Sequence, residues 1–248
     1  MFLAYICQRM KFLPHIITSG NLFCGVLALV LIAEDALIAA TWCIFIAGFL
    51  DFLDGFVARM LKVSGEFGKQ LDSLADVVTF GVVPGFLLFR ISDHLNKWPF
   101  DMHAPVWVVY VPLLIAVFSA LRLAKFNLDM RQSNGFIGVP TPANAFWLAG
   151  LPYLIEDHQD WLQKGFITPW VLAGIAVLSC LLLVSELSLL SFKVKSFAFS
   201  RAWPQYLLLT SVVFSLIVFK FAGLVALLPL YLFFSLIDKK LNTNEIPG

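Results

Sequence analysis

Long stretches without a charged side chain constrain this chain more than any other feature of its sequence. Five of them hold between 17 and 22 residues each with no Asp, Glu, Lys or Arg, and they cover residues 12–33, 102–121, 165–185, 202–219 and 221–237. A helix needs about 20 mostly apolar residues to cross the hydrocarbon core of a bilayer. The whole chain is 60% apolar and 13% charged, about half the charged fraction of a soluble domain. These features predict a polytopic integral membrane protein.

Eight helices are predicted, and residues 1–248 are expected to form one all-α membrane domain. The predicted bounds are 13–33, 36–62, 70–91, 104–127, 142–157, 165–187, 203–219 and 221–238. The second and third helices have uncharged cores of only 15 and 13 residues, so each spans a bilayer only if it continues into the charged segment between them. We therefore expect polar side chains to face each other where these two helices meet.

The Lys and Arg residues are divided unevenly between the two ends of these helices. With eight helices both termini lie on one side, and that side carries 13 of the 17 Lys and Arg residues against 4 on the other. Cytoplasmic loops of membrane proteins are enriched in these residues. We therefore expect both termini and the charged segment 51–76 to face the cytoplasm. The net charge of +1 gives no indication of nucleic acid as a partner.

Four aspartates stand at helical spacing between the second and third predicted helices. Asp51 and Asp54 are three residues apart and share one face at the end of the second helix. Asp72 and Asp76 are four residues apart and share a face at the start of the third. The Gly-containing segment 64–68 is expected to reverse the chain, so the four carboxylates should meet at one membrane boundary.

Such a cluster is unfavourable unless cations neutralise it. An Asp in the middle of a bilayer costs about 2.5–3.5 kcal/mol on insertion scales, and repulsion between like charges adds to that cost. Mg²⁺ and Mn²⁺ prefer oxygen ligands, and two such ions about 4 Å apart can clamp a diphosphate during its displacement. The cluster therefore indicates a site for two divalent ions, although any single Asp could instead belong to a structural ion pair or a helix end.

Small and basic residues follow the second aspartate. Gly55 and Ala58 lie on the Asp54 side of the helix, where the missing bulk lets a large ligand approach the backbone. Arg59, one turn after Gly55, can pair with a phosphate or with an Asp. The alternative is that Arg59 only anchors the helix at the cytoplasmic boundary.

The complete pattern is D-x2-D-G-x2-A-R-x8-G-x3-D-x3-D, from Asp51 to Asp76. Over these 26 residues it resembles the signature of the CDP-alcohol phosphatidyltransferase family at every position. The resemblance implies a membrane enzyme, usually a homodimer with a six-helix core, that transfers a phosphatidyl group from CDP-diacylglycerol to an alcohol and releases CMP. It also implies that the four aspartates are metal ligands and that Asp76 is the general base. Gly55, Ala58 and Arg59 correspond to positions on the nucleotide side.

Flanking segments are similar to the bacterial phosphatidylserine synthase branch of that family. They lie at 18–25, 67–81, 122–127 and 136–144. This similarity implies L-serine as the acceptor, and a bacterial cytoplasmic membrane with the active site facing the cytoplasm. The two C-terminal helices, over residues 203–248, depart from the six-helix core and are left unexplained.

Two sets of binding residues are predicted from these segments. The nucleotide and lipid-phosphate set is Asn21, Gly55, Ala58, Arg59, Gly68 and Ser73. The acceptor set is Arg122, Lys125, Asn127, Thr141 and Asn144. The cationic side chains could hold the serine carboxylate, or they could bind the lipid phosphate or only anchor the helix. Asn21 is either a nucleotide contact or a helix-packing residue, and the prolines beside Thr141 could simply begin a helix.

Two alternative functions stay open from the sequence. The same chemistry with glycerol 3-phosphate or an inositol phosphate as acceptor would also use cations around the pocket. A divalent-cation transporter would use the aspartates as an ion site, but it would favour acidic residues near the middle of the bilayer and paired broken helices in its two halves. The four aspartates lie at one boundary instead, and the fifth to eighth predicted helices contain no second copy of them.

Overall fold

The computed structural model describes residues 12–63, 65–97, 104–128, 136–157, 166–186, 188–189 and 199–243. Within these ranges the chain is almost entirely helical, with one antiparallel pair of two-residue strands, β1 (Phe136–Ile137) and β2 (Ser188–Leu189). The helices are α1 (Phe12–Ala33), α2 (Leu37–Met60), α3 (Glu66–Lys97), α4 (Val106–Leu128), α5 (Thr141–Ala149), α6 (Leu151–Asp157), α7 (Pro169–Val184), α8 (Phe199–Phe219) and α9 (Leu227–Thr243). The predicted all-α bundle is confirmed.

Five helical stretches of the described chain are long and apolar enough to cross a membrane. They are α1, α2, α3, α4 and Thr210–Ser235. Large apolar side chains point outward from them, among them Phe23, Phe49 and Trp107, each more than 60% exposed. Exposure of these apolar side chains to water would be unfavourable, whereas the hydrocarbon core of a bilayer would accommodate them. The chain is therefore an integral membrane protein with several spans.

Helix α3 lies at the centre of the bundle. Its apolar portion is 61% buried, compared with 28% for α1, because α3 packs against α1, α4 and α7 at once. Fully buried Phe80, Leu87 and Leu88 belong to α3 and to the main core. The helix that carries two of the four aspartates is therefore the one most restrained by its neighbours.

The middle of α3 departs from regular α-helical geometry. Val77–Val82 forms a wider π-helical turn, in which the Val83 N–H donates to the carbonyl of Val78, five residues earlier. The wide turn begins directly after Asp76. Turns of this kind are rare and occur frequently at functional sites.

The C-terminal helices form a hairpin. Between α8 and α9 the chain follows a 3-10 segment, Lys220–Ala226, in which Lys220 has φ 51°. The Ser215 hydroxyl donates to the Gly223 carbonyl at 3.0 Å, although eight residues of straight helix would separate them by about 12 Å. Thr210–Ser235 is therefore not one straight helix. The ring of Phe221 stacks on Tyr153 of α6, with 5.1 Å between the ring centroids, which docks the hairpin on the bundle.

The observed helix bounds differ from the predicted ones in two places near the site. The third helix begins at Glu66 rather than at residue 70, since Gly65 is extended and Glu66 occupies the first turn, where a carboxylate is favoured by the helix dipole. The fifth predicted helix is divided at Gly150 into α5 and α6. Pro152 has no N–H to continue the hydrogen-bond ladder there.

Candidate active site

Three of the four aspartates converge where α2 ends and α3 begins. Carboxylate oxygens of Asp51, Asp72 and Asp76 all lie within 4.8 Å of one another. Among the described residues, this is the one group of three or more His, Cys, Asp or Glu side chains close enough to share an ion. One oxygen each of Asp72 and Asp76 is buried without a hydrogen-bond partner. Unpartnered buried carboxylate oxygens are unfavourable, so the arrangement fits a cation site.

Asp54 lies outside this group of three. It is 6% exposed, and its carboxylate accepts a hydrogen bond from the Thr18 hydroxyl of α1. Thr18 begins the flanking segment 18–25, but it was not among the predicted site residues. The available signal was a hydroxyl near the same membrane boundary as the aspartates, and nothing in the sequence shows which face of α1 meets α2.

A cleft of about 450 Å³ opens beside Asp54 and Asp72, between the start of α1, the end of α2 and the start of α3. Its volume is within the range of small-ligand sites. Three of the predicted nucleotide-side residues line it, Gly55, Ala58 and Gly68. A Cβ atom on Gly55 would meet no atom within 4 Å, so this residue leaves space open.

Basic side chains also line the cleft. Lys62 and Lys69 are both part of its wall, and neither was predicted as a site residue. Lys69 Nζ lies 3.3 Å from the backbone carbonyl of Asn127, which holds its ammonium group at the start of α3. Two cations beside buried carboxylates make the cleft suitable for an anionic ligand.

The other residues of the nucleotide-side set occupy different environments. Arg59 is exposed, and its Nε donates to the Gly55 carbonyl at 3.0 Å. Asn21 is fully buried, and neither atom of its side-chain amide has a hydrogen-bond partner among the described residues. The Ser73 hydroxyl accepts a hydrogen bond of 2.8 Å from Asn127 Nδ2. None of these three lines the cleft.

A cluster of buried polar side chains connects α4 and α5. Arg122 is 8% exposed, and its Nη1 donates to the Thr141 hydroxyl at 3.3 Å. The Nε of Arg122 and both amide atoms of Asn144 have no partner among the described residues. Arg122 is also close enough to Asp76 for the two charges to interact. Two of the five predicted acceptor residues, Arg122 and Thr141, are thus brought together beside Asp76, and a third, Asn144, is buried one helical turn after Thr141.

Lys125 and Asn127, the other two predicted acceptor residues, lie apart from this buried polar cluster. Lys125 Nζ forms a salt bridge of 3.1 Å with Glu186, and both side chains are largely exposed. Asn127 follows Arg122 by five residues, about 140° around a helix, so it faces a different direction and contacts Ser73. The structure therefore brings Asn127 together with a residue predicted for the nucleotide side.

Comparison with known proteins identifies the family. Residues 11–233 match the family model described as CDP-alcohol phosphatidyltransferase. The chain belongs to this family. The resemblance predicted from 26 residues is confirmed, and the match to the CDP-alcohol phosphatidyltransferase family extends from α1 through α8 into α9.

Individual proteins named CDP-diacylglycerol–serine O-phosphatidyltransferase are also similar to this chain, among them three from different organisms. The protein of Bacillus subtilis (strain 168) is 38% identical over 133 residues, which are 54% of this chain and 71% of the relative. That of Helicobacter pylori (strain J99) is 32% identical over 183 residues, 73% of this chain and 72% of the relative. That of Mycobacterium tuberculosis (strain H37Rv) is 35% identical over 180 residues, which are 68% of this chain and 59% of the relative.

Proposed function

We propose that this protein transfers the phosphatidyl group of CDP-diacylglycerol to the hydroxyl of L-serine, producing phosphatidylserine and CMP. The observation that carries the proposal is that buried Arg122, with its partner Thr141, lies beside the aspartate cluster of Asp51, Asp72 and Asp76. The relatives named as serine transferases support serine as the acceptor.

The aspartate cluster is the proposed site of the divalent ions, Mg²⁺ or Mn²⁺, and we propose two of them. Asp51, Asp72 and Asp76 would be the principal ligands, and Asp54 would complete the set from its position beside Thr18. The unpartnered oxygens of Asp72 and Asp76 support this assignment. Bound there, the ions would neutralise charge on the two phosphates and on the departing CMP.

The cleft is the proposed site of the cytidine nucleotide. Gly55, Ala58 and Gly68 leave room for it, while Lys62 and Lys69 offset its negative charge. The two acyl chains would remain in the bilayer, in keeping with the exposed apolar surfaces of the spanning helices. Arg59 is exposed beside Gly55, from where it can turn toward a phosphate.

The buried polar cluster of Arg122, Thr141 and Asn144 is the proposed binding site of serine. Arg122 would bind the serine carboxylate through a charge-assisted hydrogen bond, with Thr141 fixing the guanidinium and Asn144 orienting the amino acid. The serine oxygen then forms a bond to the phosphorus attached to diacylglycerol. The bond from that phosphorus to CMP breaks, CMP leaves, and Asp76 accepts the hydroxyl proton.

We further propose that the enzyme is a homodimer in a bacterial cytoplasmic membrane, with one membrane domain and with the active site and both termini facing the cytoplasm. The orientation is supported by the 13 to 4 division of Lys and Arg, and the dimer by the family resemblance. A reporter fused to either terminus should be cytoplasmic. Termini on opposite sides would contradict the orientation.

An acceptor panel tests the substrate assignment. Purified protein with CDP-diacylglycerol and Mn²⁺ or Mg²⁺ is given L-serine, glycerol 3-phosphate or an inositol phosphate, and the lipid product is identified by mass spectrometry. We expect phosphatidylserine and CMP from serine only. Product from glycerol 3-phosphate and none from serine would show that the acceptor is wrong, without affecting the family.

A further inference from the structure

The wide turn after Asp76 is held between two neighbouring helices at glycine contacts. On one side, a Cβ atom on Gly25 of α1 would lie 2.5 Å from the Thr79 hydroxyl oxygen and 3.2 Å from the Thr79 Cα. The Thr79 hydroxyl also lies 3.4 Å from the backbone carbonyl of Asn21, one helical turn before Gly25. The backbone of α1 thus touches the wide turn directly, and only a glycine at position 25 permits this distance.

On the other side the same turn meets α4. A Cβ atom on Gly81 would lie 2.8 Å from the Cβ of Ser119 and 3.6 Å from the Cα of Ala116. Neither of these atoms can be moved by rotating a side chain, so any added atom would have to displace a backbone. The wide turn is therefore fixed from both sides, with Thr79 against α1 and Gly81 against α4.

We propose that Gly25 and Gly81 are positioning residues for the aspartate cluster, acting through the wide turn Val77–Val82. Asp76 is the residue directly before this turn, and its carboxylate must remain within reach of Asp51 and Asp72. The helix changes from α to π geometry directly after Asp76. Contacts with other helices are therefore needed to fix the position of the turn that carries Asp76. The catalytic consequence rests on the proposed function, whereas the effect on the cation site does not.

The expected displacement is small, but the site is sensitive to it. A Cβ atom on residue 25 would lie 2.5 Å from the Thr79 hydroxyl oxygen, which must turn away, and 3.2 and 3.3 Å from the Thr79 Cα and Cβ, so α1 and α3 must also separate by a few tenths of an ångström. Misplacement of a reacting group by about 1 Å can lower a rate roughly 100-fold. A shift of Asp76 should change its position relative to a cation and to the serine hydroxyl. Arg122 and Thr141 lie on other helices, so the binding of serine should change less.

The test compares Gly25→Ala with Gly20→Ala. The control residue is on the same helix, where a Cβ atom would have only an ordinary contact of 3.4 Å with Leu50. Four quantities are measured on purified protein: Mn²⁺ affinity in the absence of substrates, kcat, KM for serine, and the unfolding temperature. We expect Gly25→Ala to bind Mn²⁺ more weakly and to lose roughly 10- to 100-fold in kcat, with KM for serine little changed. Gly20→Ala should resemble the wild type.

A second variant separates positioning from folding. Thr79→Ala in the Gly25→Ala background removes the atom in closest contact and should restore part of the Mn²⁺ affinity. Equal Mn²⁺ affinity in Gly25→Ala and Gly20→Ala, or a loss that follows the unfolded fraction alone, would overturn the proposal. If Gly25→Ala does not fold, Gly81→Ala decides from the α4 side: weaker Mn²⁺ binding supports the proposal and wild-type binding overturns it. An inactive wild type would instead contradict the proposed function, and the Mn²⁺ titration would still test the positioning.

Discussion

The Thr18 hydroxyl donates a hydrogen bond to the carboxylate of Asp54 and so joins the first helix to the second at the edge of the cleft. Asp54 is buried and does not belong to the group formed by Asp51, Asp72 and Asp76. Its hydrogen-bond donors, the Thr18 hydroxyl and the Gly55 N–H, are both neutral. The four aspartates of the motif are consequently not equivalent, although their spacing alone makes them look so.

Replacing Thr18 tests this relationship. Thr18→Val keeps the shape of the side chain but removes the hydroxyl donor and leaves the buried Asp54 carboxylate with only the Gly55 N–H. This loss should destabilise the protein by about 1–3 kcal/mol. The unfolding temperature in detergent should fall, and Mn²⁺ should reduce the difference if Asp54 also binds a metal ion. Thr18→Ser retains the hydroxyl and should behave like the wild type. Equal stability of the Val and Ser variants would show that the bond is unimportant.

Asp72→Asn should abolish CMP release without unfolding the protein. The amide is nearly the same size as the carboxylate but removes one negative charge from the cluster of three, so divalent ions should bind much more weakly. CMP release is followed at increasing Mn²⁺ concentration, together with the unfolding temperature. Glu66→Gln on the same helix, an exposed carboxylate that accepts from Gln70, serves as the control. Near-normal turnover of Asp72→Asn at saturating metal would refute the assignment.

Arg122→Ala should mainly weaken the apparent affinity for serine. One charge-assisted hydrogen bond is worth about 1.5–3 kcal/mol, or roughly ten- to 150-fold in affinity. Lys125→Ala is the matched control, because Lys125 forms a surface salt bridge with Glu186 and lies outside the buried cluster that contains Arg122. Both kinetic constants are measured for each variant. If the affinity for CDP-diacylglycerol falls and that for serine does not, Arg122 is a phosphate contact and serine binds elsewhere.

Asp35 should make stability depend on pH at the opposite end of the bundle. Two hydrogen bonds from Arg90, at 2.7 and 2.8 Å, together with the charges of His94 and Arg90, lower the pKa of Asp35. The stabilisation is complete above the unfolded-chain pKa of about 3.9 and is lost as the pH falls through the lower pKa of the folded protein.

The measurement compares Asp35→Asn with Glu34→Gln, which removes the neighbouring carboxylate. At pH 7 Asp35→Asn should unfold at a lower temperature than the wild type, and this difference should disappear in acid below the lowered pKa. Glu34→Gln should show no such loss. A difference between Asp35→Asn and the wild type that does not change between pH 7 and pH 2 would contradict the role given to the Asp35–Arg90 pair.

The sequence was sufficient for the fold class and the family. It predicted that all four aspartates meet, whereas the structure brings Asp51, Asp72 and Asp76 together and places Asp54 outside that group. The sequence was insufficient for contacts that depend on how helices rotate against one another. Thr18 is an example, since nothing local shows that it meets Asp54. The cleft lysines are another, because surface cations occur at every cytoplasmic boundary.

Tertiary packing also produced features with no local signal. The wide turn at Val77–Val82 consists mainly of apolar residues with no local signal for its geometry, and it makes close contacts with α1 and α4. Arg122 and Lys125 were grouped because both are cations at the end of the same predicted helix. Their surroundings differ, so that one is buried against Thr141 and the other pairs with Glu186 at the surface.

The central claim is that the serine hydroxyl attacks the phosphorus attached to diacylglycerol. Its most direct test uses L-serine labelled with ¹⁸O in the hydroxyl group, with purified protein, CDP-diacylglycerol and Mn²⁺ or Mg²⁺, and mass spectrometry of both products. We expect phosphatidylserine that retains the ¹⁸O and CMP that contains none. Absence of labelled phosphatidylserine from active, folded protein, or ¹⁸O in the cytidine product, would contradict the claim.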